Sequence, residues 1–131
     1  MQLCCEMGLQ LFSIESLDEY NCFTKDVFNL DTNSTIIRTS GTSDGIGCQK
    51  TWGWCPSGQI FANGIPWSPG EPGNPGVENC ACVQMGGAAL GAPVLHDCGC
   101  HTNHWFICEG SVPECKPMCP IKTCTKNVKL D

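Results

Sequence analysis

The sequence predicts a single α+β domain, stapled by disulfides and rich in loops. Three observations carry that prediction: thirteen cysteines in 131 residues, fifteen glycines with nine prolines, and one amphipathic helical stripe followed by short β-rich runs. The length suits one domain with its own core, not two. Cysteine at this density belongs to an oxidising, extracellular setting, where bridges replace part of the core. The odd count leaves one thiol free or paired outside the chain.

In chain order, a short helix is expected around residues 1–7, then a short strand at 9–12 (LQLF). Ser16 and Glu19 have the spacing of a capping box, in which each side chain satisfies the other residue's backbone N–H. The helix so opened carries Tyr20, Phe23, Val27 and Leu30 at steps of three, four and three, one apolar stripe. Residues 34–39 (STIIRT) are β-branched and read as a strand. Between 41 and 76 the composition turns to Gly, Pro, Ser and Trp without sustained periodicity. That is a long loop, expected to be held by Trp52, Trp54 and Trp67 and by a bridge from Cys48 to Cys55. Strands are expected again at 80–85 (CACVQM) and 104–108 (HWFIC). The domain is placed at 1–109, with a Cys/Lys/Pro-rich tail at 110–131. There is no internal repeat.

Charge narrows the function. The net charge is −6, with eleven acidic against three basic residues in 1–109 and two against four in the tail. An acidic body lacks the basic stripe that a nucleic acid requires. No apolar run approaches the roughly 20 residues of a membrane span. No leader-like apolar stretch precedes Cys4 and Cys5, so the chain is expected to be a mature or incomplete piece of a secreted protein. No Ser/His/Asp arrangement has a recognisable context, and no enzymatic role is expected. Asn33-Ser34-Thr35 is an N-glycosylation sequon, consistent with an extracellular surface.

Five motifs in register carry a family resemblance. They are Gly8-x-x-Leu11-x-Ser13-Ile14-x-Ser16-x-x-Glu19, Trp67-x-x-Gly70-Glu71-Pro72, Glu78-Asn79-Cys80, His96-Asp97-x-x-Cys100 and Phe106-Ile107-Cys108-Glu109. Over about residues 4–109 the chain resembles C-type lectin domains. The stretch from Thr39-Ser40-Gly41-Thr42 through Gly47-Cys48 to Trp54-Cys55 is similar to the arthropod branch. The resemblance implies two helices, small antiparallel sheets and a long loop region. The first strands of that fold, which normally precede the first helix, are missing from this chain, and the cysteine-rich tail is extra.

The resemblance pairs Cys80 with Cys100 and a first-helix cysteine with Cys108. Cys4 is favoured because it precedes Gly8 by four residues. Cys82 and Cys98 flank the Cys80–Cys100 pair by two residues each, and strand alternation makes a second, parallel bridge plausible. Cys5, Cys22, Cys115, Cys119 and Cys124 remain, and one of them is expected to join another chain or a missing segment. Cys98-x-Cys100-His101-x-x-His104-x-x-x-Cys108 also has a spacing that zinc accepts. In a disulfide-rich chain these cysteines are expected in bridges instead, and the histidines as surface or strand residues.

Two calcium sites follow from the resemblance. The sugar-binding one uses the Glu and Asn of Glu-Pro-Asn, a second Glu, and an Asn-Asp pair. This chain keeps Glu71, Glu78 and Asp97 but has Gly73 and His96 where the amides belong. Asn74 stands one residue away from the first gap. Calcium takes six to eight oxygens, so each lost ligand weakens the site. Relatives also hold the bond before the equivalent of Pro72 in cis. The second, structural site reads Ser13, Glu15, Glu19 and Glu109, and all four match. Calcium is therefore expected at the structural site before the sugar loop. The expected function is secreted recognition of glycans through the long-loop surface. The alternative is a calcium-independent module whose loops, or tail cysteines, contact an extracellular protein.

Overall fold

The computed structural model describes residues 2–27, 35–43, 51–55, 57–85 and 92–110. The chain opens with helix α1 (Gln2–Glu6). It ends at Gly8, whose φ of 72° lies in the left-handed region that glycine adopts without steric penalty. The exit lets the Leu9 N–H donate to the Cys4 carbonyl at 2.8 Å and sends the chain into β1 (Gln10–Leu11).

Helix α2 (Leu17–Val27) begins at the predicted cap, with a change of partner. The Glu19 N–H donates to Ser16 Oγ at 3.1 Å. The Glu19 carboxylate passes over the Ser16 N–H and accepts from the Glu15 N–H at 2.7 Å. Tyr20 and Phe23 of the stripe are buried, and the Phe23 ring meets Phe12 at 4.9 Å. The Tyr20 hydroxyl donates to the Pro93 carbonyl at 2.7 Å, fastening α2 to the chain just before strand β5 (Val94–Cys98). The Val27 side chain and Leu30 lie outside the described residues, as does Asn33.

The larger sheet has the order β3 (Gly53–Trp54), β2 (Ile36–Thr42), β4 (Cys80–Gln84), β5, with β6 (Trp105–Phe106) also on β2. β3, β4 and β5 run in antiparallel pairs, while β6 lies parallel to β2. A second sheet joins β1 to β7 (Cys108–Glu109). The strand expected at 104–108 is thus divided: its first part pairs with β2 and its end pairs with β1. Two strands were absent from the sequence reading. β5 (VLHDC) carries a polar pair in its middle, and β3 is two residues inside a Gly/Trp stretch, so neither has the periodicity that marks a strand.

β2 runs past the expected Thr39 to Thr42 because a bulge intervenes between Arg38 and Thr42. The Thr39 hydroxyl donates to the Ala81 carbonyl at 2.7 Å and accepts from the Gly41 N–H at 3.1 Å, replacing ladder bonds lost there. At Gly41 a Cβ would stand 2.7 Å from the Phe61 ring and 2.8 Å from the Ala81 methyl, so the backbone there packs directly on both. The core between α2 and this sheet includes Ile14, Tyr20, Trp54, Val83, Met85 and Leu95.

Bridges join Cys4 to Cys108, Cys80 to Cys100 and Cys82 to Cys98. Cys5 and Cys55 are also disulfide-bonded. The expected pairing of Cys48 with Cys55 falls outside the described residues, together with Cys115, Cys119, Cys124 and the tail beyond 110. Cys22 is the free cysteine among the described residues. Its thiol faces the Asp26 carboxylate at 3.5 Å, and that hydrogen bond pushes its pKa up, which makes it a slow nucleophile near neutral pH.

Candidate functional site

The long loop is organised by aromatic rings rather than by periodic backbone structure. Trp54 stacks on Phe61 at 4.0 Å, and Trp67 lies 5.9 Å from Phe61 and 5.1 Å from Trp52. Phe61 is the member that the sequence reading missed; a single Phe in a Gly-rich run carries no pattern. On either side of Trp67 the loop is tied to β5 by two backbone bonds, Ser68 N–H to the Leu95 carbonyl at 2.7 Å and Leu95 N–H to the Pro66 carbonyl at 2.9 Å. Those bonds place the turn carrying Glu71 beside Asp97. The far end is pinned at Asn79, whose carbonyl accepts from the Ser43 N–H and the Thr42 hydroxyl, both at 3.0 Å.

Between these anchors the peptide bond from Glu71 to Pro72 is cis. Glu78 N–H donates to the Asn74 carbonyl at 3.0 Å, a helical turn that sets residues 74 and 78 on one side. The Asn74 side-chain amide donates to Glu78 Oε2. The Asn74 backbone N–H donates to Asp97 Oδ2 at 2.8 Å. Glu71, Asn74, Glu78 and Asp97 are therefore brought into one cluster. The three carboxylates do not close to within 4.8 Å of one another as a trio among the described residues, Glu78 being turned to Asn74.

Gly73 and His96 enter differently. A Cβ at Gly73 would lie 3.1 Å from Glu71 Oε2, so a side chain there would crowd the carboxylate it was expected to assist. Its backbone instead acts to lower the pKa of both Glu71 and Asp97. His96 is paired across the sheet with Cys82, and alternation along β5 puts it on the face opposite Asp97. Its Nδ1 lies 3.2 Å from the Asp97 carbonyl, to which it can only donate. His96 is not part of the acidic cluster.

Asp97 is only 4% exposed, and neither Asp97 Oδ1 nor Glu71 Oε2 meets a protein donor among the described residues. The two carboxyls face each other instead. The hydrogen bond to Asp97, then burial and the Asp97 charge, raise the Glu71 pKa above the usual carboxylate range. Burial pushes Asp97 up, but hydrogen bonds from Glu71 and from backbone N–H groups outweigh it, and its pKa is lowered. The signs then follow from linkage. Glu71 contributes stability that is complete below its unfolded pKa and lost as pH rises through the raised folded value. Asp97 contributes stability that is lost only as pH falls through its lowered value. His104, whose pKa is lowered, acts in the opposite direction, so the Glu71 contribution is read as a difference. In calcium-free protein the stability of Glu71→Gln relative to the parent should rise as pH rises through the Glu71 titration. Thermal melts in a chelator check it; a difference that does not change with pH would remove the raised Glu71 pKa.

At the second predicted cluster, Glu109 Oε1 accepts from both the N–H and the hydroxyl of Ser13 at 2.8 Å. Glu19 is taken by the Glu15 N–H. Glu109 ties β7 to Ser13 and Glu19 ties α2 to Glu15; both already have protein donors, and Glu15, Glu19 and Glu109 do not gather within 4.8 Å among the described residues. The zinc spacing resolves otherwise. Cys98, Cys100 and Cys108 are all in bridges. Cys82, Cys98 and His104 do gather within 4.8 Å, but two bonded sulfurs are not thiolate ligands. No helix among the described residues is long and apolar enough to cross a membrane.

The architecture is that of a C-type-lectin-like domain. Similar solved structures include the carbohydrate-recognition domain of mouse scavenger receptor C-type lectin, 22% identical over 84% of this chain and 76% of that one, with a TM-score of 0.61. The C-type lectin domain of murine dendritic cell inhibitory receptor 2, solved in complex with an N-glycan, is 24% identical over 79% and 72%, with a TM-score of 0.59. Human lithostathine is 18% identical over 82% and 70%, with a TM-score of 0.61. No family model and no curated protein matches the chain.

Proposed function

We propose that the chain is an extracellular glycan-recognition module whose long loop holds calcium through Glu71, Asn74, Glu78 and Asp97. One observation carries this reading: the Glu71 and Asp97 carboxyls are packed together, and once both are ionised an oxygen of each has no protein donor among the described residues. Burying such a pair without a counter-ion is costly, and a hard cation is the partner that oxygen ligands suit. Asn74 supplies the amide that Gly73 lacks. Calcium held there would neutralise the carboxylates and present coordination positions to sugar hydroxyls. The solved relative carrying an N-glycan supports the ligand class. Secretion, a glycan on Asn33 and the absence of catalysis belong to the same reading.

A second calcium position at Ser13, Glu15, Glu19 and Glu109 is part of the proposal. Its four matching residue types rank it first; acids of both positions already hold protein donors, so those bonds do not set the order of filling. The alternative, a calcium-independent protein-interaction module, draws on Gly73 and His96, which bring no side-chain oxygen to the loop.

Titration calorimetry with calcium separates these readings. Glu78→Gln should weaken loop binding by about tenfold or more, the loss of one charged ligand. Glu19→Ala should leave that binding in place. Calcium uptake that survives Glu78→Gln and disappears in Glu19→Ala would move the ion to the helix start. No uptake by the unmodified chain would leave the calcium-independent module.

A further inference from the structure

Across β2 and β4 from the strand that carries Asp97, β6 presents two exposed aromatic residues in succession. Trp105 is 77% and Phe106 44% exposed. With Thr35, Ile36, Asn103 and His104 they line an open groove of about 760 Å³. β2 and β4 stand between β6 and β5, so Trp105 and Phe106 sit three strands away from the one that carries Asp97, while His104 at the groove's border reaches back to the Cys82–Cys98 bridge.

Its chemistry restricts the occupant. None of the six lining residues is Asp, Glu, Lys or Arg. Burial, then the Arg38 charge, lower the His104 pKa, which favours the neutral imidazole. An uncharged groove favours an uncharged ligand. A protein partner fits poorly: two aromatics bring at most about 500 Å², against about 800 Å² per partner in a stable interface. β6 is also only two residues long, too short to template another strand. What remains is a flat indole bordered by an amide, a hydroxyl and an imidazole, each able to pair with hydroxyl groups. Saccharides combine the two requirements. The C–H bonds of an all-equatorial pyranose are polarised by the ring oxygens and suit the negative face of an aromatic ring, while the hydroxyls project outward.

We propose that this groove is a calcium-independent saccharide subsite, with an all-equatorial pyranose lying on Trp105 and hydrogen-bonded by Asn103 and Thr35. The proposal takes its ligand class from the glycan reading above and uses none of the loop's ligands.

Two probes test it, cellotriose and chitotriose, titrated in chelator into protein carrying ¹⁵N-labelled tryptophan. The chain has four tryptophans, so four indole signals are followed. One signal, assigned to Trp105 by its loss in Trp105→Ala, should move and saturate. Read by calorimetry, Trp105→Ala should weaken binding about tenfold or more, and Asn103→Ala about three- to tenfold. Glu78→Gln should leave both titrations unchanged. Movement of the Trp52 or Trp67 signal instead, affinity within about twofold of the parent in Trp105→Ala, or no movement at millimolar saccharide overturns the subsite. Binding that needs calcium and is lost in Glu78→Gln also overturns it, while upholding the loop reading. If the loop takes no calcium and the chelator titration still saturates, the loop reading fails and this one stands. Concentration-dependent dimerisation abolished by Trp105→Ala would assign the face to a second copy and overturn it too.

Discussion

Replacing Cys4 and Cys108 together by alanine should cost about 4–5 kcal/mol of stability, the largest loss expected from removing any bridge described here. The two residues are 104 positions apart, and the entropy removed from the unfolded chain grows with the logarithm of that separation. The Cys80–Cys100 bridge lies inside this loop and shortens its path by 20 residues. The correction is only about 0.2 kcal/mol because the dependence is logarithmic. Cys4 is fully buried, so the double variant also loses packing where α1 meets β7. Urea unfolding gives the number, and hydrogen exchange gives its location: the Leu11 and Cys108 amides, paired across β1 and β7, should lose protection most. A shift below about 1 kcal/mol would mean that the unfolded chain is already confined by the remaining bridges.

The consequence reaches the Ser13–Glu109 contact. Glu109 follows Cys108 on β7, and Ser13 follows β1 closely, so the bridge holds both partners in register. A fold whose first and last strands are joined in this way can present long loops from the middle of its chain. The loops then need only local anchors: Asn79 at one end, and the Ser68 and Leu95 pairing at the other.

Much of this was legible in the residues. The fold class followed from cysteine density, one helical stripe and motifs in family order. The Tyr20 and Phe23 stripe is a periodic signal, and the core face of α2 obeys it. The limits were physical. β5 carries His96 and Asp97 in its centre, and a strand whose middle is polar has no alternation to read. The division of residues 105–109 between two sheets depends on which neighbours arrive, and no local propensity encodes that. At the site, the family resemblance pointed to Glu71, Glu78 and Asp97 and set Asn74 one residue from the gap, without its hydrogen bonds. Its place beside Glu78 depends on the turn after Pro72, a three-dimensional fact that a motif alignment shifted by one residue cannot express. His96, which replaces an amide of the family pattern, stands apart for the converse reason. Adjacent residues in an extended strand face opposite ways, so His96 and Asp97 could not both enter the cluster.

Trp54→Ala should produce the second large loss, about 3–5 kcal/mol, with an effect on the loop that a simple core cavity would not have. The indole is fully buried, and its N–H has no acceptor among the described residues, so it acts through packing alone. It stacks on Phe61, which faces Trp67 in turn, and Trp67 lies between the two bonds that hold the Glu71 turn against β5. Removing the first ring leaves Phe61 without its closest aromatic partner and frees the sequence of contacts that ends at the Glu71–Asp97 pair. Two measurements should therefore change together. Global stability falls, and the Glu71 amide, bonded to the Ser68 carbonyl at 2.9 Å, exchanges faster than the global loss alone would predict. Trp54→Phe keeps a ring and should recover part of both. Trp105→Ala, on an exposed indole, should change stability by less than about 0.5 kcal/mol and leave the Glu71 amide unchanged. If Trp54→Ala lowers stability while Glu71 exchange follows only the global loss, the aromatic cluster supports the core without organising the loop.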